Sequence, residues 1–133
     1  MRYTKPTAVI FIAGVWVNVS EFFRNEILVK SHWTCHYQGL DLSFPSGPIN
    51  GAVWVVWGFS FSAIIYALST QFSLLQTTAV SWIAGFCLMW LVTWNLAVFP
   101  VEILPYAVPL SILETFIAVA ICKKASAAAQ RGA

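Results

Sequence analysis

Two carboxylates stand where carboxylates are expensive. Glu21 lies in the outer half of an apolar stretch that begins near Thr7. Glu114 lies near the middle of the stretch from Leu104 to Cys122, between Leu113 and Thr115. An Asp, Lys or Arg at the centre of a membrane helix costs about 2.5 to 3.5 kcal/mol on insertion scales, so such groups persist where they are paired or used. Gly14, Asn18, Glu21 and Asn25 follow one another at intervals of four, three and four residues, which puts them on one side of a helix. At 1.5 Å per residue, Glu21 stands about 4 to 5 Å beyond Asn18. If the first and last helices are neighbours and run in opposite directions, Asn18 or Glu21 meets Glu114, with Glu114 near the depth of Asn18. No Lys or Arg is evident at that depth, and a lone carboxyl in such a place is neutral unless a cation is near.

Other polar residues extend the set. Arg24 is one turn beyond Glu21 and can pair with it or with Glu102. Asn95 falls near the outer end of a third apolar stretch, and Glu102 sits at the rim between Pro100 and Pro105. Together these residues draw a polar cavity that opens outward and ends at Glu114. The chemistry it suits is binding of a proton, an ion or a cationic substrate, with Glu21 and Glu114 as exchangeable carboxylates. The competing reading is a buried hydrogen-bond network that only fixes the helices, with Glu114 donating to a backbone carbonyl. Two carboxylates exceed what packing needs.

A second cluster lies in His32-Trp33-Thr34-Cys35-His36, which holds both histidines of the chain. If this piece is helical, His32, Cys35 and His36 share a side, and their donor types suit zinc or copper. No CxxCH haem attachment sequence and no HExxH accompany them. The preferred reading is an ordinary interfacial segment anchored by Trp33 and Tyr37, and no cofactor is expected. The three cysteines, Cys35, Cys87 and Cys122, are too few and too far apart in the expected topology for a disulfide framework. Cys35 could bridge two subunits.

The elements that must position these residues follow from composition. Of 133 residues, 59% are hydrophobic and 9% charged, whereas a soluble domain carries about 25% charged residues. The expected fold is all-α: a single polytopic domain over 1–133, an integral membrane bundle of four transmembrane helices at about 7–28, 49–69, 77–99 and 104–122. A span needs about 20 apolar residues. Residues 24–48 form an external loop, and 125–133 form a flexible cytoplasmic tail. Arg2 and Lys5 before Ala8–Val17 resemble a signal peptide, but Val15 and Trp16 after Ala13-Gly14 make a poor cleavage site, so the segment is read as a retained helix. The terminal segments carry Arg2, Lys5, Lys123, Lys124 and Arg131 against Arg24 and Lys30 in the first loop. The positive-inside rule then places both termini in the cytoplasm of a cell inner membrane. Seven scattered basic residues form no patch, so nucleic acid is not an expected partner. The expected partners are the lipid bilayer and either copies of the chain or another membrane protein.

Packing signals are of two kinds. Small residues at Gly51, Gly58, Ser62 and Ser69, and at Ser81 and Gly85, mark close helix contacts, preferably inside the bundle. Aromatic rows at Trp54, Trp57 and Phe61 and at Trp82, Phe86 and Trp90 are partly interfacial belts, although Trp57 and Trp90 sit too deep for belts and suggest a hydrophobic groove. Pro48 suits the first position of the second span, and Pro109 falls one turn into the last span, where it removes a backbone bond.

Three functions fit this pattern. The first is a small proton- or cation-coupled transporter, assembled from several copies because four helices enclose little space. Its acidic residue on the first helix resembles small multidrug transporters. The fixed charge bias and the mid-membrane Glu114 depart from that family, and no extended motif matches it. The second is a structural or accessory subunit that holds a partner membrane protein. The third and least favoured is an intramembrane enzyme acting on a lipid or quinone, for which no catalytic signature is present.

Overall fold

The computed structural model describes residues 5–130. Arg2 and Arg131 of the charge argument lie outside them. Four long helices follow the four apolar stretches, and no strand occurs among the described residues. Helix α1 covers Pro6–Leu28, α2 Lys30–Gly39, α3 Pro48–Ser69, α4 Leu74–Asn95 and α5 Leu104–Gln130, the last preceded by a 3-10 turn over Val101–Ile103. All but α2 are long and apolar enough to cross a bilayer.

Proline and a capping box set the starts. Pro6 and Pro48 open α1 and α3 at the first helical turn, where a missing N–H costs nothing. Ser73 caps α4: its Oγ accepts from the Gln76 N–H at 3.3 Å, while Gln76 Oε1 accepts from the Ser73 N–H at 3.1 Å. This satisfies two of the backbone donors that a helix start leaves free. Leu96–Pro100 turns the chain from α4 towards α5, with Ala97 at φ 62, a left-handed conformation that costs an alanine roughly 1–2 kcal/mol.

The bounds differ from the sequence reading at three places. The third span ends at Asn95 and not near 99, because the Ala97 turn breaks it. The segment 24–48 is no open loop. Its first residues finish α1, and most of the remainder is α2. The last span does not give way to a loose tail near 125. Alanine is the best helix former, and Ser126 Oγ donates to the Cys122 carbonyl at 3.0 Å as α5 runs on to Gln130.

In the bundle, α1 packs on α3 and α5, and α4 packs on α5 and α3. The core joins Val9, Ala13 and Val17 of α1, Phe61 and Ile65 of α3, Phe86 of α4, and Ala118, Val119 and Cys122 of α5. Small residues let the backbones close. A Cβ on Gly58 would stand 2.6 Å from Asn18 Nδ2, and one on Gly85 would stand 2.5 Å from Phe61 Cε2; one on Gly14 would run into the Phe59 ring. Gly51, by contrast, faces open space, so the expected seam on α3 begins at Gly58. Large apolar side chains such as Phe11, Val56, Leu91 and Leu113 face outward on all four long helices. A water-soluble bundle keeps such residues on one stripe.

Candidate functional site

α1 and α5 are neighbours, as a meeting of their acidic residues requires, and the charge they bring together is a triad. Arg24 Nη1 donates to Glu114 Oε2 at 3.0 Å, and Arg24 Nη2 donates to Glu21 Oε1. The three residues expose only 7% (Glu21), 4% (Arg24) and 1% (Glu114) of their surface. The expectation that no cation reaches Glu114 is therefore wrong. Arginine has a long side chain, and the last turns of α1, Phe23–Leu28, are π-helical. The guanidinium reaches across to α5, and the Phe86 ring of α4 lies 5.2 Å from its central carbon, within range of a cation–π attraction. Phe86 lies in a second π-helical turn, Ile83–Cys87. Such turns are rare and are frequent at functional sites.

Further hydrogen bonds hold the triad's frame. Asn25 Nδ2 donates to Glu21 Oε2 at 2.8 Å, and the Trp33 indole of α2 donates to Asn25 Oδ1 at 3.3 Å. The Trp16 indole donates to the Glu114 carbonyl at 3.0 Å, and the Trp82 indole donates to Ser111 Oγ at 2.8 Å. Two indoles, one from α1 and one from α4, thus grip α5 at its acidic residue and one turn before it. Glu114 Oε1 is the exception. It is buried with no hydrogen-bond partner, a condition shared among the described residues by one other side-chain atom, Ser81 Oγ.

The rest of the expected set does not converge. Asn18 turns away from Glu114: its Nδ2 donates to the Gly14 carbonyl at 2.8 Å, and its side chain lies against Gly58 of α3. Asn95 and Glu102 are exposed at the α2 end of the bundle, and Arg24 pairs with Glu114, not with Glu102. No outward opening exposes the triad in this conformation, because Glu21, Arg24 and Glu114 are all buried. One groove, of about 260 Å³, is lined by Trp90, Leu91, Trp94, Phe99, Val101 and Leu104. Another, of about 240 Å³, is lined by α2 and the segment after it, including Lys30 and Gln38. Neither is lined by a residue of the triad.

The His and Cys residues of α2 are not brought together in this conformation. No group of three or more His, Cys, Asp or Glu suited to a metal occurs among the described residues. His36 Nε2 donates to the Ala97 carbonyl at 2.8 Å, the His32 ring lies 6.4 Å from Tyr106, and Cys35 is exposed. His36 docks α2 onto the Ala97 turn, and His32 meets the first turn of α5 at Tyr106. The sequence reading missed Phe86, Trp16 and Trp82 as parts of the site. The spacing of Trp82, Phe86 and Trp90 was a signal of a shared face, but its meeting with Arg24 belongs to tertiary structure. Comparison with protein-family models, with curated proteins and with solved structures finds no match.

Proposed function

We propose that this chain is a multi-pass membrane protein with both termini in the cytoplasm, and that its Glu21–Arg24–Glu114 triad couples movement of a small molecule to a proton or another cation. The observation that carries this reading is an imbalance of charge. Two carboxylates share one buried guanidinium, and one carboxylate oxygen has no donor. With both carboxyls ionised the network carries one uncompensated buried charge, which is strongly destabilising, so its balance depends on taking up a proton or another cation. Four apolar helices with outward-facing hydrophobic side chains support the membrane setting. Burial of Arg24 also sharpens the charge asymmetry. At the α2 end it leaves Lys30, which is itself paired with Glu26.

The triad is shut in this conformation. Asn25 and the Trp33 indole of α2 bond over its Glu21 side, and neither an amide nor an indole N–H relays protons as a carboxyl or hydroxyl does. Transport therefore requires α2 to move. The sealed packing favours the second reading, an accessory subunit in which the triad fixes α1 against α5. The experiment that separates the two uses purified protein in proteoliposomes under an imposed ion gradient. Wild-type protein is expected to raise proton or cation flux above that of empty vesicles, and Glu114→Gln is expected to abolish the increase while the protein stays folded. Wild-type flux equal to that of empty vesicles, both with the ion gradient alone and with small organic cations added as solutes, sinks the transport reading. Impermeant maleimide labelling of Cys35 in intact cells tests the topology, since Cys35 should be reached from outside.

A further inference from the structure

We infer that the ion served by the triad is a proton, carried on Glu114 Oε1, and not a metal cation. The inference rests on the transport reading and names its coupling ion. Its first support is the donor chemistry around Glu114. A metal ion needs several lone pairs at once: calcium takes six to eight oxygen ligands, and magnesium demands near-octahedral geometry. The neighbours of this carboxylate offer few: the Glu21 carboxylate is the one anionic donor at hand, and its two oxygens already accept from Arg24 and Asn25. Arg24 is a guanidinium, which presents N–H donors and no acceptor; Phe86 presents a ring face to that guanidinium, and the Trp16 indole is spent as a donor on the Glu114 carbonyl. A proton needs one oxygen only: Oε1 is buried with no donor to it, and the Glu21 carboxyl stands within hydrogen-bonding reach of Glu114 to accept from the protonated form.

Charge points the same way. The charged groups facing Glu114 are Arg24 and Glu21, both on α1. α3 and α4 contain no Asp, Glu, His, Lys or Arg, and their titratable side chains, Tyr66 and Cys87, make no hydrogen bond to it. On α5 itself, Tyr106, Cys122, Lys123 and Lys124 stand more than one helical turn away in sequence. With both carboxyls ionised the triad sums to −1 (two carboxylates and one guanidinium). A proton from the aqueous phase forms an O–H bond with an Oε1 lone pair and brings the sum to zero. Release to water reverses the step, and nothing is oxidised or reduced. The neutral triad retains both Arg24 bonds, because Arg24 engages Oε2 and leaves Oε1 free.

The test uses full-length protein in proteoliposomes loaded with a pH-sensitive dye, with a K+ diffusion potential set by valinomycin, in media with and without Na+. Infrared spectra of the same vesicles read the C=O stretch of a protonated carboxyl. The expected result is a several-fold faster pH change than in empty vesicles, with no need for Na+. It includes a protonated-carboxyl band that Glu114→Gln removes and Glu114→Asp shifts. The aspartate variant guards against misfolding of the glutamine one, and the size-exclusion profile checks both. A pH change that requires Na+, or a band that Na+ removes, overturns the proton assignment and leaves transport standing. Absence of the band in wild-type protein also overturns it. A band that responds to Glu114→Gln, with flux no greater than in empty vesicles, confirms the proton on Glu114 but overturns its role as a coupling ion together with the transport reading.

Discussion

The triad and the His–Cys segment look alike in sequence and are used in opposite ways. Each places chemistry-bearing residues at helical intervals, Glu21, Arg24 and Asn25 on α1, His32, Cys35 and His36 on α2. The first becomes a candidate site because another helix presents a matching group: α5 brings Glu114 to Arg24 at 3.0 Å. The second meets only a backbone carbonyl, at Ala97, and an aromatic ring, at Tyr106. A face on one helix is not a site until a second element completes it. Burial separates the two regions as well. Glu21 and Arg24 are buried, whereas Cys35 is exposed and both histidines are half-exposed. In a buried setting the unmet bond has a large energetic consequence, and at the surface it has almost none.

The sharpest way to test this contrast is to unbalance the triad in both directions. Arg24→Gln leaves two buried carboxylates facing each other without a cation, and breaking a buried pair in this way costs about 3–5 kcal/mol. Glu114→Gln leaves Arg24 and Glu21 as a matched pair, with an amide oxygen still able to accept from the guanidinium. The expected loss is below about 1.5 kcal/mol, the scale of one hydrogen bond. Thermal unfolding in the same detergent should therefore rank wild type and Glu114→Gln close together, with Arg24→Gln far below. Adding Glu114→Gln to Arg24→Gln should restore part of the loss. Equal damage from the two single variants would show that the charge imbalance has no energetic weight.

The four long helices were legible because each is a run of apolar residues long enough to be counted. Glu21 and Glu114 were legible for the complementary reason, as charges inside such runs. The partner of Glu114 was not. Helical spacing suggested Asn18 at the matching depth, but spacing fixes the Cα and says nothing of where a long side chain ends. Asn18 is short and bonds its own helix at Gly14, while Arg24 reaches over to α5. The π-helical turns at Phe23–Leu28 and Ile83–Cys87 leave no mark in residue type, and each changes which residues face the core beyond it. The expectation of an outward opening followed from treating polar residues as a lined channel, when in this conformation they spend their bonds on one another.

A smaller effect separates closed seams from open faces. Gly85 and Gly51 are both helix glycines, yet a Cβ on Gly85 would stand 2.5 Å from the Phe61 ring, and one on Gly51 would meet nothing within 4 Å. Phe61 cannot yield easily, because its ring is stacked on Trp57 at 5.0 Å and set edge-on to Phe86 at 5.7 Å. Gly85→Ala should cost about 1–3 kcal/mol, the usual penalty of overpacking. It should also disturb Phe86 and with it the face on which Arg24 rests. Gly51→Ala should be neutral or stabilise by up to about 1 kcal/mol through helix propensity. Unfolding midpoints of the two variants give the comparison directly, and a destabilising Gly51→Ala would reveal a partner seated on that part of α3.

The smallest effects belong to α2. If His32, Cys35 and His36 only dock the helix, zinc should not raise the unfolding midpoint, because a ligand stabilises a fold only by binding it in preference to the unfolded chain. Cys35→Ser should lie within about 0.5 kcal/mol of wild type, as most surface changes do. His36→Ala should cost more, about 0.5–1.5 kcal/mol for a lost hydrogen bond, because the Ala97 carbonyl loses its donor in a turn already held at φ 62. A ranking with His36 first and Cys35 last, unchanged by zinc, matches docking. A zinc-dependent midpoint lost equally in all three variants would instead mean that α2 rearranges to bring its donors together. The contrast with the triad would then be one of conformation and not of chemistry.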